Sequence, residues 1–381
     1  MKKNVLIIGG GHVGVSLAVD LDISRNDVTV ATLSDSKTSS LIEFFHSKID
    51  VIDNLNALSN SLCCKNIKTT EFNTLDSLIQ YDAVFICVPD IYELRNTILL
   101  RVNKECKAQC LVVHIRAGQA GLINTLQSIY AGSREVAHIL VEDSLYGTRV
   151  DFQARRITTK RKKEVNVSVV NGDARTLEAL GGYFAIPDLP WFPCLNRTET
   201  KNLLFDPLGF IIHSGVCLDG DNLDKTLSGQ SYNHYIEGVD RALGDKLEKL
   251  DNLRVFLASS YGAKTTSFKD ILNRQYNVDV EESLYLTLQN CTGVYKSMSP
   301  KNIEALKSSR YIHEDIPALY VFKYLMDREG ITSDELDSYI SIIEEKCQRI
   351  GIDLLPLKRY KNGLHDMKYT KFDIMRILNE R

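Results

Sequence analysis

The run Val5-Leu6-Ile7-Ile8 passes directly into Gly9-Gly10-Gly11-His12-Val13-Gly14, and few folds accommodate that junction. A continuous apolar run ending in glycine reads as a strand buried on both faces, as in a parallel sheet. Val13, Leu17, Ala18 and Leu21 then recur at helical spacing, and Asp27-Val28-Thr29-Val30-Ala31-Thr32 reads as a second strand. Together they form a βαβ unit of about 30 residues with a GxGxxG pattern at its first turn. In that pattern Gly9 permits the tight turn, Gly11 lets backbone N–H groups approach a pyrophosphate, and Gly14 allows close packing of helix on strand. His12 and Val13 complete the loop. The unit predicts dinucleotide binding; the competing reading is a tight turn without a ligand.

Further strands follow. Asp82 to Val88 is an apolar run stopped by Pro89, Leu111 to Ile115 ends at Arg116-Ala117-Gly118-Gln119-Ala120-Gly121, and Val136 to Val141 is another. Strands alternating with helical stretches predict an α/β fold, a doubly wound parallel sheet with helices on both faces. After Pro187, Pro190 and Pro193 the texture changes to long helical patterns, over 198–218, 232–261, 267–274, 280–290, 315–330 and 333–350. A chain of 381 residues is long enough for two cores. We therefore expect a dinucleotide-binding domain over 1–190 and a mainly α-helical domain over 191–381, with a cleft between them.

Composition narrows the function. Apolar and charged fractions of 44% and 25% are those of a globular protein rather than a disordered, collagen-like or membrane chain. A net charge of -3 and a pI near 6.3 give no reason to expect nucleic acid or an anionic membrane as partner, which leaves small molecules. The densest basic run, Arg155-Arg156 through Lys160-Arg161-Lys162-Lys163, is followed by alternating Val165-Asn166-Val167-Ser168-Val169 and reads as a solvated hairpin edge. Met1-Lys2-Lys3 leads straight into a strand, with no long apolar segment or cleavage site, so a cytoplasmic protein is expected. The nine cysteines include no CxxC or Cys/His zinc spacing; they read as buried free thiols, and no metal is expected.

The cofactor's type is read at the end of the second strand. An NAD-binding fold places Asp or Glu there for the ribose 2′-hydroxyl, but this chain has Thr32, Leu33 and Ser34, with Asp35 displaced. Ser34, Ser36 and Lys37 suit a 2′-phosphate, which favours NADPH over NADH. Cys87-Val88-Pro89-Asp90 ends a strand at the sheet's carboxyl edge, so Val88 and Pro89 either contact the nicotinamide-ribose end or merely turn the chain.

In the second half, Asp206-Pro207-Leu208-Gly209-Phe210-Ile211-Ile212-His213-Ser214-Gly215 carries one imidazole at the end of an apolar stretch. Reduction of a carbonyl or imine needs a proton donor with a pKa near neutrality, and His is the commonest choice; a structural histidine is the alternative. Downstream, Arg310-Tyr311-Ile312-His313-Glu314-Asp315-Ile316-Pro317 combines a guanidinium with paired carboxylates just before a helix, where Asp315 is also a candidate N-cap.

These segments, with Tyr235-Ile236-Glu237-Gly238, resemble the opine dehydrogenases of the octopine and nopaline type, over nearly the whole chain. Tyr146-Gly147-Thr148-Arg149-Val150 and Glu199-Thr200-Lys201-Asn202 are most similar to the branch that makes opine metallophores such as staphylopine. The resemblance implies a Rossmann domain followed by a helical catalytic domain, possession of NADPH or NADH as reductant, and reductive condensation of an amino acid or related amine with a 2-oxo acid such as pyruvate. It implies His213 as the catalytic histidine, Asp315 as the carboxylate that orients it, and Arg310 as the substrate-binding arginine, whose planar fork suits a carboxylate. Tyr146 and Arg149 are candidates for further carboxylate contacts, Arg149 equally for a surface ion pair. A homodimer is also implied. The chain departs from the family in having Ser214-Gly215 where many members have proline, which predicts a loop of different rigidity. It also lacks the branch's arginine near Leu33. A 2-hydroxy-acid or sugar-phosphate dehydrogenase is the rival reading and would need a catalytic lysine such as Lys201; a cofactor-binding sensor without catalysis is a further alternative.

Overall fold

The apolar run at the N-terminus forms β1 (Asn4–Ile8), with Val5 to Ile8 fully buried. The computed structural model describes residues 2–54, 58–118, 120–184, 193–293 and 299–379. Its first half continues with α1 (His12–Ile23), β2 (Asp27–Thr32), α2 (Asp35–His46), β3 (Lys48–Asp53), β4 (Leu58–Cys63), β5 (Lys68–Glu71), β6 (Ala83–Ile86), α3 (Tyr92–Glu105), β7 (Leu111–His114), α4 (Leu122–Ala131) and β8 (Ala137–Val141). Then come β9 (Tyr146–Asp151), β10 (Arg156–Arg161), β11 (Glu164–Val170), α5 (Ala174–Gly181) and β12 (Cys194–Arg197).

The main sheet has the order β12-β11-β8-β7-β6-β1-β2-β5. Its six strands from β8 to β5 run parallel, as expected for a doubly wound sheet. β11 joins antiparallel to β8, and β12 lies parallel to β11. Period-two side-chain alternation divides the strands between two cores: Val5, Ile7, Phe85 and Val113 face the α1 side, while Leu6, Ile8, Val84 and Val112 face the opposite side. Strand order reverses between β1 and β6, and at such a switch point a crevice opens at the carboxyl ends of the strands.

A second sheet, β4-β3-β10-β9, covers the outer side of α1. The basic run falls here, and its expected exposure is corrected. Arg156–Arg161 pairs with Tyr146–Asp151 rather than with Val165–Val169, and β10 is an interior strand. Arg155, Arg156 and Lys163 are exposed, but Arg161 and Lys162 are buried. Arg161 donates to Asp20 at 2.6 Å and to Asp53 at 3.0 Å, pairing that makes a buried guanidinium tolerable. Sequence alternation marks a strand, but it does not reveal which carboxylates a distant segment will supply.

The second half contains α6 (Thr200–Leu203), α7 (Gly209–Leu218), α8 (Gly220–Leu227), α9 (Arg241–Ser260), α10 (Phe268–Tyr276), α11 (Leu284–Gln289), α12 (Ile303–Lys307), α13 (Ile316–Arg328), α14 (Asp334–Arg349), α15 (Arg359–Asp366) and α16 (Lys371–Asn379). The mainly helical character is as expected. Two long helices are not: 198–218 breaks at Asp206-Pro207, where the proline ring cannot continue a helix, and 232–240 is irregular before α9. The expected domain boundary at 190–191, with Pro187 and Pro190, lies outside the described residues; β12, which still belongs to the sheet, follows it. Of the nine cysteines, Cys64, Cys110, Cys217, Cys291 and Cys347 are buried, but Cys63 and Cys194 are exposed, so the uniformly buried set is corrected. Among the described residues no helix is long and apolar enough to cross a membrane.

Polar links join the halves at several places. Asp90, after β6, accepts from Tyr360 Oη (2.8 Å) on α15; Asn166 on β11 donates to Asp206 (2.9 Å); and Arg274 on α10 forks onto both oxygens of Glu142 (2.9 Å each).

Candidate active site

The glycine turn closes the switch-point crevice. Gly9 has φ +118° and lies so close to β6 that a Cβ would stand 2.5 Å from the Cys87 carbonyl oxygen; at Gly14 it would stand 1.9 Å from the Gly9 oxygen. Both glycines are thus demanded by the protein's own packing. Gly11 is exposed, and a Cβ there would meet nothing within 4 Å. The open ground beside Gly11, at the start of α1 with its free N–H groups, fits a pyrophosphate. Val88 and Pro89 follow β6 on the other side of the switch point. The adjoining Asp90 is buried and accepts from the Gly121 N–H as well as from Tyr360.

His12 is bound to the second sheet: its Nδ1 accepts the Val150 N–H of β9 at 3.0 Å. Burial, then Arg149 and Lys37, press its pKa down to about 4, so the imidazole is neutral. Val13 is partly buried against the core under α1. At the end of β2, Thr32 is buried and its hydroxyl bonds Ser34 O (3.0 Å), leaving Ser34 and Ser36 exposed at the N-terminus of α2. Lys37 lies over the Phe152 ring at 3.7 Å. Tyr146 and Arg149 part company, because they point to opposite faces of β9. Tyr146 is buried against α1 with its hydroxyl on Asp20 (2.9 Å), which corrects the expected substrate contact. Arg149 is exposed, on the same face as Gly147, whose Cβ position looks onto Tyr276 of α10, and its charge bears on Tyr311.

Every residue of α7 is buried, so His213 reaches the cleft from a helix that is core on all sides. The expected loop at Ser214-Gly215 is corrected: both lie inside α7. Opposite, residues Tyr311–Asp315 form one π turn leading into α13, a wide turn that is rare and concentrated at functional sites. It brings Arg310, Tyr311 and Asp315 to one imidazole. Asp315 accepts from His213 Nδ1 at 2.9 Å; it stands at the N-cap position of α13 but makes no capping bond there. With the proton on Nδ1, Nε2 accepts the Tyr235 hydroxyl at 2.8 Å, and Arg310 Nη2 stands 3.4 Å from the same nitrogen. Tyr311 lies across the ring, centroids 4.8 Å apart. Asp315 fits only because residue 209 is glycine: a Cβ there would be 2.3 Å from Asp315 Oδ1. His313 Nε2 is turned away, on the Lys307 carbonyl (2.8 Å).

Burial lowers the pKa of His213, Arg310 lowers it further, and Asp315 pulls it back up. Burial also works against ionisation of Asp315, yet His213 and the two arginines Arg310 and Arg116 hold its carboxyl below the usual range. Burial raises Glu314, which Arg116 opposes. The first half contributes Asp143, after β8, which is partly buried and which Lys162 (2.7 Å) holds ionised. Reading the sequence for site residues missed Tyr235, Tyr311, Asp143 and Arg116. Tyr235 stood within a recognised motif, and Arg116 at the carboxyl end of a strand just before paired glycines. Gln119 of that segment lies outside the described residues. Lys201, needed by the rival reading, pairs with Glu199 at 2.7 Å.

Residues 198–347 match a family model described as NAD/NADP octopine/nopaline dehydrogenase, alpha-helical domain. That stretch of the helical half is similar to the helical domain of the octopine/nopaline dehydrogenases. Solved structures share the fold across both halves of the chain. Octopine dehydrogenase in complex with NADH and L-arginine superposes with a TM-score of 0.69 at 16% identity, covering 100% of this chain and 98% of that one. Yersinopine dehydrogenase with NADP+ bound gives 0.67 at 14% identity, covering 100% and 99%. D-mandelate dehydrogenase, in a ternary structure with NADH and anilino(oxo)acetate, gives 0.61 at 11%, covering 92% and 100%. No curated protein matches the chain in sequence.

Proposed function

We propose that this chain is an NAD(P)H-dependent opine dehydrogenase, condensing an amino acid or related amine with a 2-oxo acid such as pyruvate. The observation that carries the reading is the His213–Asp315 pair, with Tyr235 and Arg310 on the free imidazole nitrogen. Amine and oxo acid lose water to give an imine, and its reduction gives the secondary amine. A nicotinamide bound at the glycine turn supplies the hydride. His213 moves protons at Nε2: it takes one from the substrate ammonium, freeing the amine to attack the carbonyl, and returns it to the departing hydroxyl, which leaves as water. Asp315 keeps the other nitrogen protonated and stabilises the charged ring. Arg310 grips the oxo acid's carboxylate beside that nitrogen, through the fork that lysine lacks. Of Tyr146 and Arg149, only Arg149 remains a candidate for a carboxylate contact.

NADPH is the favoured reductant, supported by Ser34, Ser36 and Lys37 around the start of α2 and by the absence of an acid at the end of β2. Comparing KM for the two reductants tests this, and a tenfold preference for NADH overturns it. Two residues of the metallophore-type motifs have structural partners instead, Tyr146 on Asp20 and Glu199 on Lys201, which leaves the branch without support from geometry. The decisive assay is NAD(P)H oxidation over a panel of amines and 2-oxo acids, with the product identified by mass spectrometry. Oxidation must require both partners together. Turnover with a carbonyl compound alone would mean a simple dehydrogenase, and cofactor binding without turnover a sensor. The homodimer implied by the resemblance is read by light scattering.

A further inference from the structure

Arg116 stands two residues beyond β7, at the carboxyl edge of the sheet, with its backbone left-handed at φ 59°. Residues with a Cβ adopt that conformation rarely. The turn is fixed from behind: the Arg116 N–H donates to the Asp143 carbonyl and the Ala117 N–H to the Val141 carbonyl, both at 2.9 Å. The side chain is thereby sent into the cleft towards the helical half. Its Nε stands between Asp143 Oδ1 of its own half, at 3.5 Å, and Glu314 Oε2 of the helical half, at 3.7 Å. Neither contact is a good hydrogen bond, and among the described residues Arg116 Nε and Glu314 Oε2 are buried without a hydrogen-bond partner. Asp143 is already held by Lys162 at 2.7 Å. A guanidinium with 14% of its side chain exposed, a forked set of donors and an unused N–H is a costly group to bury for stability alone. It sits near enough to the reacting site for its charge to bear on His213 and Asp315.

Condensation of an α-amino acid with a 2-oxo acid gives a secondary amine flanked by two carboxylates. One planar fork grips one carboxylate, which leaves the second carboxylate of that product to another donor set. We propose that Arg116 is that set: it binds the carboxylate of the amine substrate from the sheet side, while Arg310 holds the oxo acid from the helical side. The amine substrate is accordingly an α-amino acid rather than its decarboxylated counterpart. This inference rests on the opine dehydrogenase reading.

The test compares amino acids with their decarboxylated amines, L-arginine with agmatine among them, in the wild type and in Arg116→Gln and Arg116→Lys. The wild type is expected to favour the carboxylated member. Arg116→Gln is expected to raise KM for the amino acid by roughly 10- to 100-fold, the loss of a charge-assisted hydrogen bond, with kcat less affected. KM for the oxo acid and for the decarboxylated amine should hardly move, and Arg116→Lys should recover little. Equal losses for both amines, or for the oxo acid, would make Arg116 a structural tether and overturn the assignment, as would an unchanged amino-acid KM. NAD(P)H binding, followed by fluorescence, confirms that the variants fold. If the wild type condenses no pair, the opine dehydrogenase reading fails; calorimetric titration of the same amino acids and amines into NAD(P)H-loaded wild type and Arg116→Gln then decides the carboxylate assignment by itself.

Discussion

At the scale of single residues the candidate site comes down to which groups share the two nitrogens of His213. Asp315 takes Nδ1, and Nε2 faces Tyr235 and Arg310, so the nitrogen that can exchange protons is the one beside the cationic fork. His213→Ala should lower kcat by about 100-fold or more, the usual weight of a general acid–base group, with NAD(P)H affinity unchanged by fluorescence titration. Near-wild-type turnover would sink the assignment. The pH dependence is signed. The pKa of His213 lies below its ordinary value, so the base form predominates at neutral pH. In the oxidative direction kcat/KM should therefore rise with pH and level off, with a midpoint below 6.5. Asp315 raises that pKa, so Asp315→Asn should move the midpoint lower still, whatever it does to the plateau. His213, Arg310 and Asp315 were legible as residue types in the sequence. Tyr146 shows the limit of such reading: one strand position decides whether a side chain meets the cleft or the core, and the pairing that sets its face belongs to the tertiary fold.

At the scale of elements, the dyad is made by two imperfect helical segments. Pro207 separates α6 from α7, and the π turn at Tyr311–Asp315 widens the entry to α13 until Asp315 can lie against Gly209. Gly209→Ala puts a methyl group on Asp315 Oδ1. The expected result is a kcat loss similar to that of Asp315→Ala, with a destabilisation of about 1 to 3 kcal/mol from overpacking, measured by thermal melting. Gly220→Ala, where a Cβ would meet nothing within 4 Å, should do neither. If both substitutions behave alike, Gly209 does not position the dyad. Helical periodicity located most of these helices but not the break at Pro207 or the π turn. Periodicity averages over many residues, and both features are single-residue departures from it.

At the scale of the whole molecule, burial of histidines couples folding to acidity. His12 and His138 are pressed to about 4, and His114 and His234 lie well below their ordinary value, in each case chiefly by burial. These groups are neutral in the folded chain and take up protons when it unfolds below pH 6.5. Their contribution is fully present above 6.5 and is lost as pH falls towards 4, at up to about 1.4 kcal/mol per pH unit for each group. Asp206, raised to about 6 by burial, works in the opposite direction: it binds a proton more readily when folded, so it adds stability as pH falls from 6. His213 adds a fifth lowered histidine, and Glu314, Asp22 and Asp219 are carboxyls raised by burial like Asp206; the histidines titrate from 6.5 downward, so their loss predominates between pH 7 and pH 5. Urea unfolding at pH 7 and pH 5 should show the lower stability at pH 5, and His138→Leu should flatten the difference. A stability that rises at pH 5 would contradict the signs.

The sequence by itself determined the first βαβ unit, the glycine turn, the parallel sheet and the helical second half, because each is written in a local period or in a turn that only glycine allows. It also named the residue types of the candidate site. Only the tertiary structure decided that β3, β4, β9 and β10 form a second sheet over α1, that Arg161 and Lys162 are buried in ion pairs, and that Tyr146 turns inward. It alone brought Arg116, His213, Tyr235, Arg310 and Asp315 together in one constellation. The physical reason is common to all of these: burial and charge pairing are set by segments far apart in sequence, and no local pattern records which partner will arrive.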